Sequence, residues 1–226
     1  MKPITVLLAD DHTIVREGFR ELLKLAGDIE VVGEAKTGRE AVRLTRELLP
    51  AVVVMDIAMP RLNGIEASRQ ILEELPATRI LILSAHGDDA FVAQVSDLGV
   101  AGFLVKQTSA AILPKAIREV SRGNRFFSPS IARYLRERGR PTPHGATGQL
   151  KQKHAKLTSR ELEVLQLVAE GRANKQSADE LGISIKTVEK HRQSLMNKLQ
   201  IHDTAGLTRY AIAAGIIEGG YRVTTE

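Results

Sequence analysis

Four short apolar segments each run into a reactive polar side chain. Ile4–Ala9 leads into Asp10-Asp11, Ala51–Met55 into Asp56, Arg79–Leu83 into Ser84, and Gly102–Val105 into Lys106. In an open parallel sheet, the ligand crevice lies beyond the carboxyl ends of the strands. Three carboxylates, a hydroxyl and an amine are therefore expected to converge there. Carboxylates so close repel one another unless a cation neutralises them. Mg²⁺ suits such a set, because it takes oxygen ligands, keeps several waters and bridges to phosphate oxygens. Lys106 offers a second positive charge, to phosphoryl oxygens or to Asp56 itself, and Ser84 can donate one more hydrogen bond. A carboxylate so placed can act as a nucleophile and form an aspartyl phosphate. Metal and lysine would stabilise charge on the transferring group. Taken singly, each residue has another reading: Asp10-Asp11 could cap a helix, and Lys106 could be solvated. Capping alone does not explain a polar group after each of strands one, three, four and five.

The elements that must position these groups alternate strand and helix over residues 1–125. The first helix follows Asp11, capped by Thr13 or Asp11, with Ile14, Val15, Phe19, Leu22 and Leu23 as its apolar stripe. Glu30–Ala35 reads as strand two. Gly38–Leu49 reads as helix two, burying Ala41, Val42, Leu44, Leu48 and Leu49. Asn63-Gly64 opens a third helix that stops at Pro76, Asp88 or Asp89 caps a fourth, and Ser109 caps a fifth that reaches about Arg122. Five βα units with short connections predict an α/β fold, a doubly wound five-stranded parallel sheet of flavodoxin-like form, over residues 1–127.

The chain has 226 residues, enough for two domains, and its 43% hydrophobic and 26% charged residues read as globular. It has no cysteine, which excludes disulfides and thiolate metal sites and fits a reducing compartment. The start Met1-Lys2-Pro3 does not resemble a signal peptide, and the apolar runs are too short to span a bilayer, so a cytoplasmic protein with no membrane contact is expected. The net charge of +5 is unevenly placed: residues 128–156 carry seven Lys/Arg against one acid. Gly139, Pro141, Pro143, Gly145 and Gly148 break regular structure there. Residues 128–156 are therefore read as a basic flexible linker, with a short helix fitting 130–138.

Residues 157–226 read as a small all-α domain. Thr158 caps a helix built on Leu162, Val164, Leu165, Leu167 and Val168 and ended by Gly171. Lys175–Leu181, the turn Gly182-Ile183-Ser184 and the basic helix Lys186–Leu199 make a helix-turn-helix pattern, with Thr204–Ala214 as a fourth helix. Val188, His191, Leu195 and Leu199 share one face of the basic helix, which leaves Glu189, Lys190 and Gln193 on the other, with Lys186 and Thr187 at the amino end. Lysine can read guanine and glutamine can read adenine in the major groove. A solvated amphipathic helix would share this composition; the turn before it favours DNA.

Ala9-Asp10-Asp11-His12, Met55-Asp56-Ile57-Ala58-Met59-Pro60, Asn63-Gly64, Leu83-Ser84-Ala85 and Phe103-Leu104-Val105-Lys106 together resemble the receiver domain of two-component response regulators, over residues 4–122. The resemblance implies that Asp56 is the phosphoacceptor. It implies Asp11 as a direct Mg²⁺ ligand, Asp10 nearby through water, and the Ala58 backbone carbonyl as a further ligand. Ser84 and Lys106 would bind phosphoryl oxygens, Phe103 would take the aromatic switch position, and Pro60 would shape the loop after Asp56. The stretch from Leu157 through Lys198-Leu199 is similar to the LuxR-type DNA-binding domain, which places the chain with the NarL/FixJ class. That likeness implies a sensor histidine kinase as partner, a recognition helix at Lys186–Leu199, and homodimeric binding to paired half-sites of double-stranded DNA. His191 and Lys198 join Lys186, Thr187, Glu189, Lys190 and Gln193 as candidate DNA contacts. At Ser177 the family pattern carries an apolar residue, most often Ile. A buried unpaired hydroxyl there would cost about 1–3 kcal/mol unless it bonded a carbonyl of the preceding turn.

The expected function is a phosphorylation-gated transcription regulator and not an enzyme. The alternative is an Mg²⁺-dependent phosphohydrolase with Asp56 as nucleophile. Such enzymes often place a second acid two residues later, where this chain has Ala58. A third reading, a module whose tail binds protein, is disfavoured by the turn and the basic helix.

Overall fold

The computed structural model describes residues 2–84, 95, 98–129, 131–132 and 157–217. The chain divides into two compact units, Met1–His144 and Gly145–Glu226. In the first, β1 (Ile4–Ala9), β2 (Ile29–Ala35), β3 (Val52–Asp56), β4 (Arg79–Ser84), β5 (Gly102–Val105) and β6 (Phe126–Phe127) form one sheet in the order β2-β1-β3-β4-β5-β6. Every pairing is parallel. The inner strands are apolar on both faces, as a parallel sheet covered on both sides requires. Leu7, Val53, Met55, Ile80, Ile82 and Phe103 share one core with Ala41 and Val42 of α2 (Gly38–Leu48) and Ala67 and Ile71 of α3 (Gly64–Glu74). Val6, Leu8, Val54, Leu81, Leu83 and Leu104 share the other with Phe19 and Leu23 of α1 (Thr13–Leu25) and Leu113 and Ile117 of α4 (Lys106–Ser121).

Several expectations change. The sheet has six strands, because Phe126–Phe127 adds a two-residue edge beside β5. Two residues carry no readable alternation. Gly102 makes the close approach possible, since a Cβ there would lie 2.4 Å from the Phe126 carbonyl oxygen. The linker does not begin at 128. Ser128 and Ile131 are buried, Ile131 within the core of the first unit, and the Ser128 N–H donates to the Phe103 carbonyl. The rest of the expected linker and short helix, from 133 to 156, lies outside the described residues, as do Asp88 and Asp89. On α1, Ile14 is 85% exposed and Arg16 takes a buried place instead. His12, not Thr13 or Asp11, stands at the cap, and its side chain makes no capping bond. Leu48 and Leu49 are exposed, because α2 ends there with Leu49 in the left-handed conformation at φ 46°. The helix expected from Ser109 begins at Lys106, so that side chain leaves directly from the end of β5. Asn63 caps α3 as its position suggests, accepting from the Glu66 N–H.

The second unit holds α5 (Ser159–Ala169), α6 (Asn174–Leu181), α7 (Ile185–Leu199) and α8 (Thr204–Ala213). Val164, Leu165, Val168, Val188, Leu195, Leu199, Leu207 and Ala211 form its core. Thr158 and Glu161 close a reciprocal capping box at the start of α5. Gly182, at φ 62°, ends α6 in the left-handed conformation that glycine tolerates without strain. Ser184 then caps α7 by accepting from the Thr187 N–H. Among the described residues, no helix is long and apolar enough to cross a membrane.

Candidate functional site

The carboxyl ends of β1, β3 and β5 bring the acidic pocket together. Lys106 Nζ lies 2.9 Å from Asp56 Oδ2 and 2.8 Å from Asp10 Oδ2. Asp10 and Asp56 are buried, Asp11 is half-buried, and His12 sits at the rim. Burial pushes the Asp56 carboxyl up to about 6; Lys106 opposes the shift, and Asp10 and Asp11 add to it. Lys106 is itself raised, because Asp56 and Asp10 outweigh the burial that works against its charge. Donor atoms of Asp10, Asp11, His12 and Asp56 all lie within 4.8 Å of one another. That crowding of carboxylates is what a bound divalent cation would relieve, and the hard oxygen set fits Mg²⁺.

The loop after β3 folds back under Asp56. The Gly64 N–H donates to the Ile57 carbonyl over 2.8 Å. A Cβ on Gly64 would fall 1.8 Å from the Asp56 carbonyl oxygen, so only glycine fits. Ala58 lies half-buried within this loop and Pro60 follows it. Ser84, at the end of β4, pairs with Val105 in the sheet and is buried. Phe103 is fully buried on β5.

On the second unit, α7 exposes Lys186, Glu189, Lys190 and Gln193, while Val188, Leu195 and Leu199 face the core. Thr187 and His191 are half-buried beside that face.

Comparison with known proteins identifies both units. Residues 6–118 match the response regulator receiver domain family. Residues 155–211 match the luxR family of bacterial regulatory proteins. The chain is 41% identical over 208 residues to the transcriptional regulatory protein LiaR of Bacillus subtilis, covering 92% of this chain and 96% of LiaR. The chain belongs to the response regulators with a LuxR-type DNA-binding domain. Among solved structures, RcsB of Salmonella typhimurium is similar at 29% identity and TM-score 0.61, over 95% of this chain and 99% of that one. A structure of two RcsB dimers bound to two parallel DNAs is similar at 29% identity and TM-score 0.57, over 92% and 98%. The chain is thus a DNA-binding transcription regulator of the two-component type.

In this response regulator, three residues outside the expected site set support the sites. Arg16 is buried on α1, where its Nη1 donates to the Asp10 carbonyl over 2.8 Å and its Nε to Glu34 over 2.7 Å. Nothing in the local pattern marks it, because an arginine on an apolar stripe reads as an interruption. Arg192 of α7 reaches Asn174 Oδ1 at 3.2 Å and Thr204 Oγ1 at 2.7 Å, tying the amino ends of α6 and α8 to the basic helix. Glu161 accepts from Ser194 at 2.6 Å and from Lys198 at 2.7 Å, besides Thr158. The capping-box spacing Thr158–Glu161 was the signal available for it. Lys198, expected at the DNA, is therefore engaged within the domain. The Ser177 hydroxyl, also foreseen as a problem, is fully buried and has no hydrogen-bond partner among the described residues.

Burial alone would raise Glu161, but Lys198, Ser194 and Thr158 outweigh it and hold the carboxyl at about 2, below its ordinary 4.5. The folded value is the lower one. The stabilisation is therefore complete above pH 4.5 and is lost as the pH falls from 4.5 towards 2. Glu161→Gln should abolish that acid-labile contribution and speed amide exchange along α7 at pH 7. The check is hydrogen exchange of α7 at pH 7 and pH 3. Exchange that matches the wild type at both values would mean that the carboxylate does not secure the helix.

Proposed function

We propose that Asp56 accepts a phosphoryl group from a sensor histidine kinase, and that phosphorylation pairs two copies of this cytoplasmic chain on paired DNA half-sites. The observation that carries the reading is Asp56 at the end of β3, 2.9 Å from Lys106 and crowded by Asp10 and Asp11. A carboxylate oxygen of Asp56 attacks phosphorus, the phosphorus–nitrogen bond of the donor histidine breaks, and an acyl phosphate forms. Asp11, Asp56 and the Ala58 carbonyl would hold Mg²⁺, with Asp10 nearby. When bound, the ion neutralises charge on the transferring group. Lys106 leaves its partners Asp56 and Asp10 for the new phosphoryl oxygens, with Ser84 as a second donor. Phe103, on the strand that leads directly into Lys106, carries the change into the surrounding core.

Turnover is not the purpose, since Ala58 stands where a phosphohydrolase would place its second acid. On DNA, Lys186, Thr187, Glu189, Lys190, His191 and Gln193 would face the major groove and its backbone. Support for the dimeric arrangement comes from the similar structure of two RcsB dimers bound to two parallel DNAs.

Lys106→Ala should still accept some phosphoryl group from acetyl phosphate with Mg²⁺, yet fail to respond to it. Footprinting on genomic DNA with and without the donor is the test. The wild type should gain protected sites when the donor is present, and the variant should gain none. A variant that gained the same sites would remove Lys106 from the switch. A wild type indifferent to the donor would remove phosphorylation from the function.

A further inference from the structure

We propose that His12 turns the acidic pocket into a mixed nitrogen–oxygen metal site, able to hold first-row divalent ions such as Mn²⁺ through its imidazole as well as through carboxylates. The proposal rests on the reading that this pocket binds a divalent cation. His12 stands at the N-cap of α1 but makes no side-chain capping bond. Its ring turns back over the pocket instead. Nδ1 lies 2.8 Å from Asp11 Oδ1 and 3.2 Å from Asp10 Oδ1. The His12 N–H also donates to Asp10 Oδ1 over 2.9 Å, which pins the turn that carries both groups.

Those spacings match neighbouring donors around one ion. Two ligands at right angles, each about 2.1 Å from a metal, are about 3 Å apart. Without an ion, these contacts hold the ring against the two carboxylates; with one, the ring nitrogen and the carboxylate oxygens would share the cation. The ring is half exposed, so Nε2 can be served by solvent. Lys106 does not compete for this side of the pocket, because its ammonium faces the Oδ2 atoms of Asp10 and Asp56 while His12 faces the Oδ1 atoms of Asp10 and Asp11.

The chemistry then separates metals. Mg²⁺ prefers oxygen ligands and retains its water, so it gains little from an imidazole. Mn²⁺ also favours oxygen donors, yet as a first-row transition ion it accepts an imidazole nitrogen more readily than Mg²⁺, and later ions of the row more readily still. The identity of the resident cation would then depend on His12, with Asp11 and Asp56 common to both kinds of ion.

The test is pulsed electron paramagnetic resonance of the full-length protein loaded with Mn²⁺, beside competition by Mg²⁺. A directly ligated imidazole gives nitrogen modulation of the Mn²⁺ echo. The wild type should show it, and both His12→Ala and Asp11→Ala should lose it. In His12→Ala, Mn²⁺ should still bind, and the ratio of Mn²⁺ to Mg²⁺ affinity should fall while Mg²⁺ affinity stays within about twofold. Bound Mn²⁺ without nitrogen modulation in the wild type, or modulation that survives His12→Ala, overturns the role of His12 and leaves the pocket a cation site. Failure of both ions to bind the wild type overturns the cation reading and the proposal together.

Discussion

Asp56→Asn should accept no phosphoryl group from acetyl phosphate and Mg²⁺, where the wild type gains one. Intact-mass measurement resolves the two outcomes directly. The amide keeps the shape of the side chain and removes the anionic oxygen that attacks phosphorus. Loss of folding does not confound the result. Burial holds the Asp56 carboxyl at about 6 rather than its ordinary 3.8, so its charge works against the fold at neutral pH. By linkage, a raised carboxyl value gives stability that is present below 3.8 and lost as the pH rises towards 6. In metal-free buffer at pH 7, the Asn variant should therefore melt no lower than the wild type. Labelling of the variant equal to that of the wild type would place the acceptor elsewhere. A variant that melts well below the wild type at pH 7 would contradict the electrostatic account of the pocket.

The pocket was largely legible because its members are fixed by one topological rule. Asp10, Asp56, Ser84 and Lys106 each end or follow a parallel strand, and such a sheet gathers those ends at one edge. Asn63-Gly64 was legible for a local reason: Asn caps α3, and glycine alone fits against the Asp56 carbonyl. What stayed hidden depends on contacts between distant elements. Arg16 is buried because Glu34 of β2 and the Asp10 carbonyl receive its guanidinium. Helical periodicity could not supply that pairing, and it put Ile14 in the core in its stead. Lys198 looked like a DNA contact because lysines on a basic helix usually point outward. Only the packing of α5 against α7 brings Glu161 within 2.7 Å of it. Ile131 looked like linker because breakers follow soon after it, yet its own side chain fills the receiver core.

Phosphorylated protein should bind an operator with two half-sites far more tightly than unphosphorylated protein, and scrambling one half should remove most of that gain. Of the residues expected to contact DNA, α7 exposes Lys186, Glu189, Lys190 and Gln193. A single domain thus reads a few base pairs and binds weakly. Joining two such domains through paired receivers makes the second contact intramolecular, which can raise avidity by about 10²–10⁴ where the connection spans the sites. Half-sites one helical turn apart are about 34 Å from centre to centre. Residues 128–156 carry seven Lys/Arg against one acid, a charge that favours proximity to the phosphate backbone. Lys190→Ala should weaken binding in both states, because it acts in each domain separately, and should leave the ratio between states intact. The measurement is a titration of both states against intact and half-scrambled sites at fixed salt, since every phosphate contact releases counterions. Equal affinity in all four combinations would show that the receiver does not gate the DNA-binding domain. A gain that survived scrambling would place the effect within one domain rather than in the pairing of two.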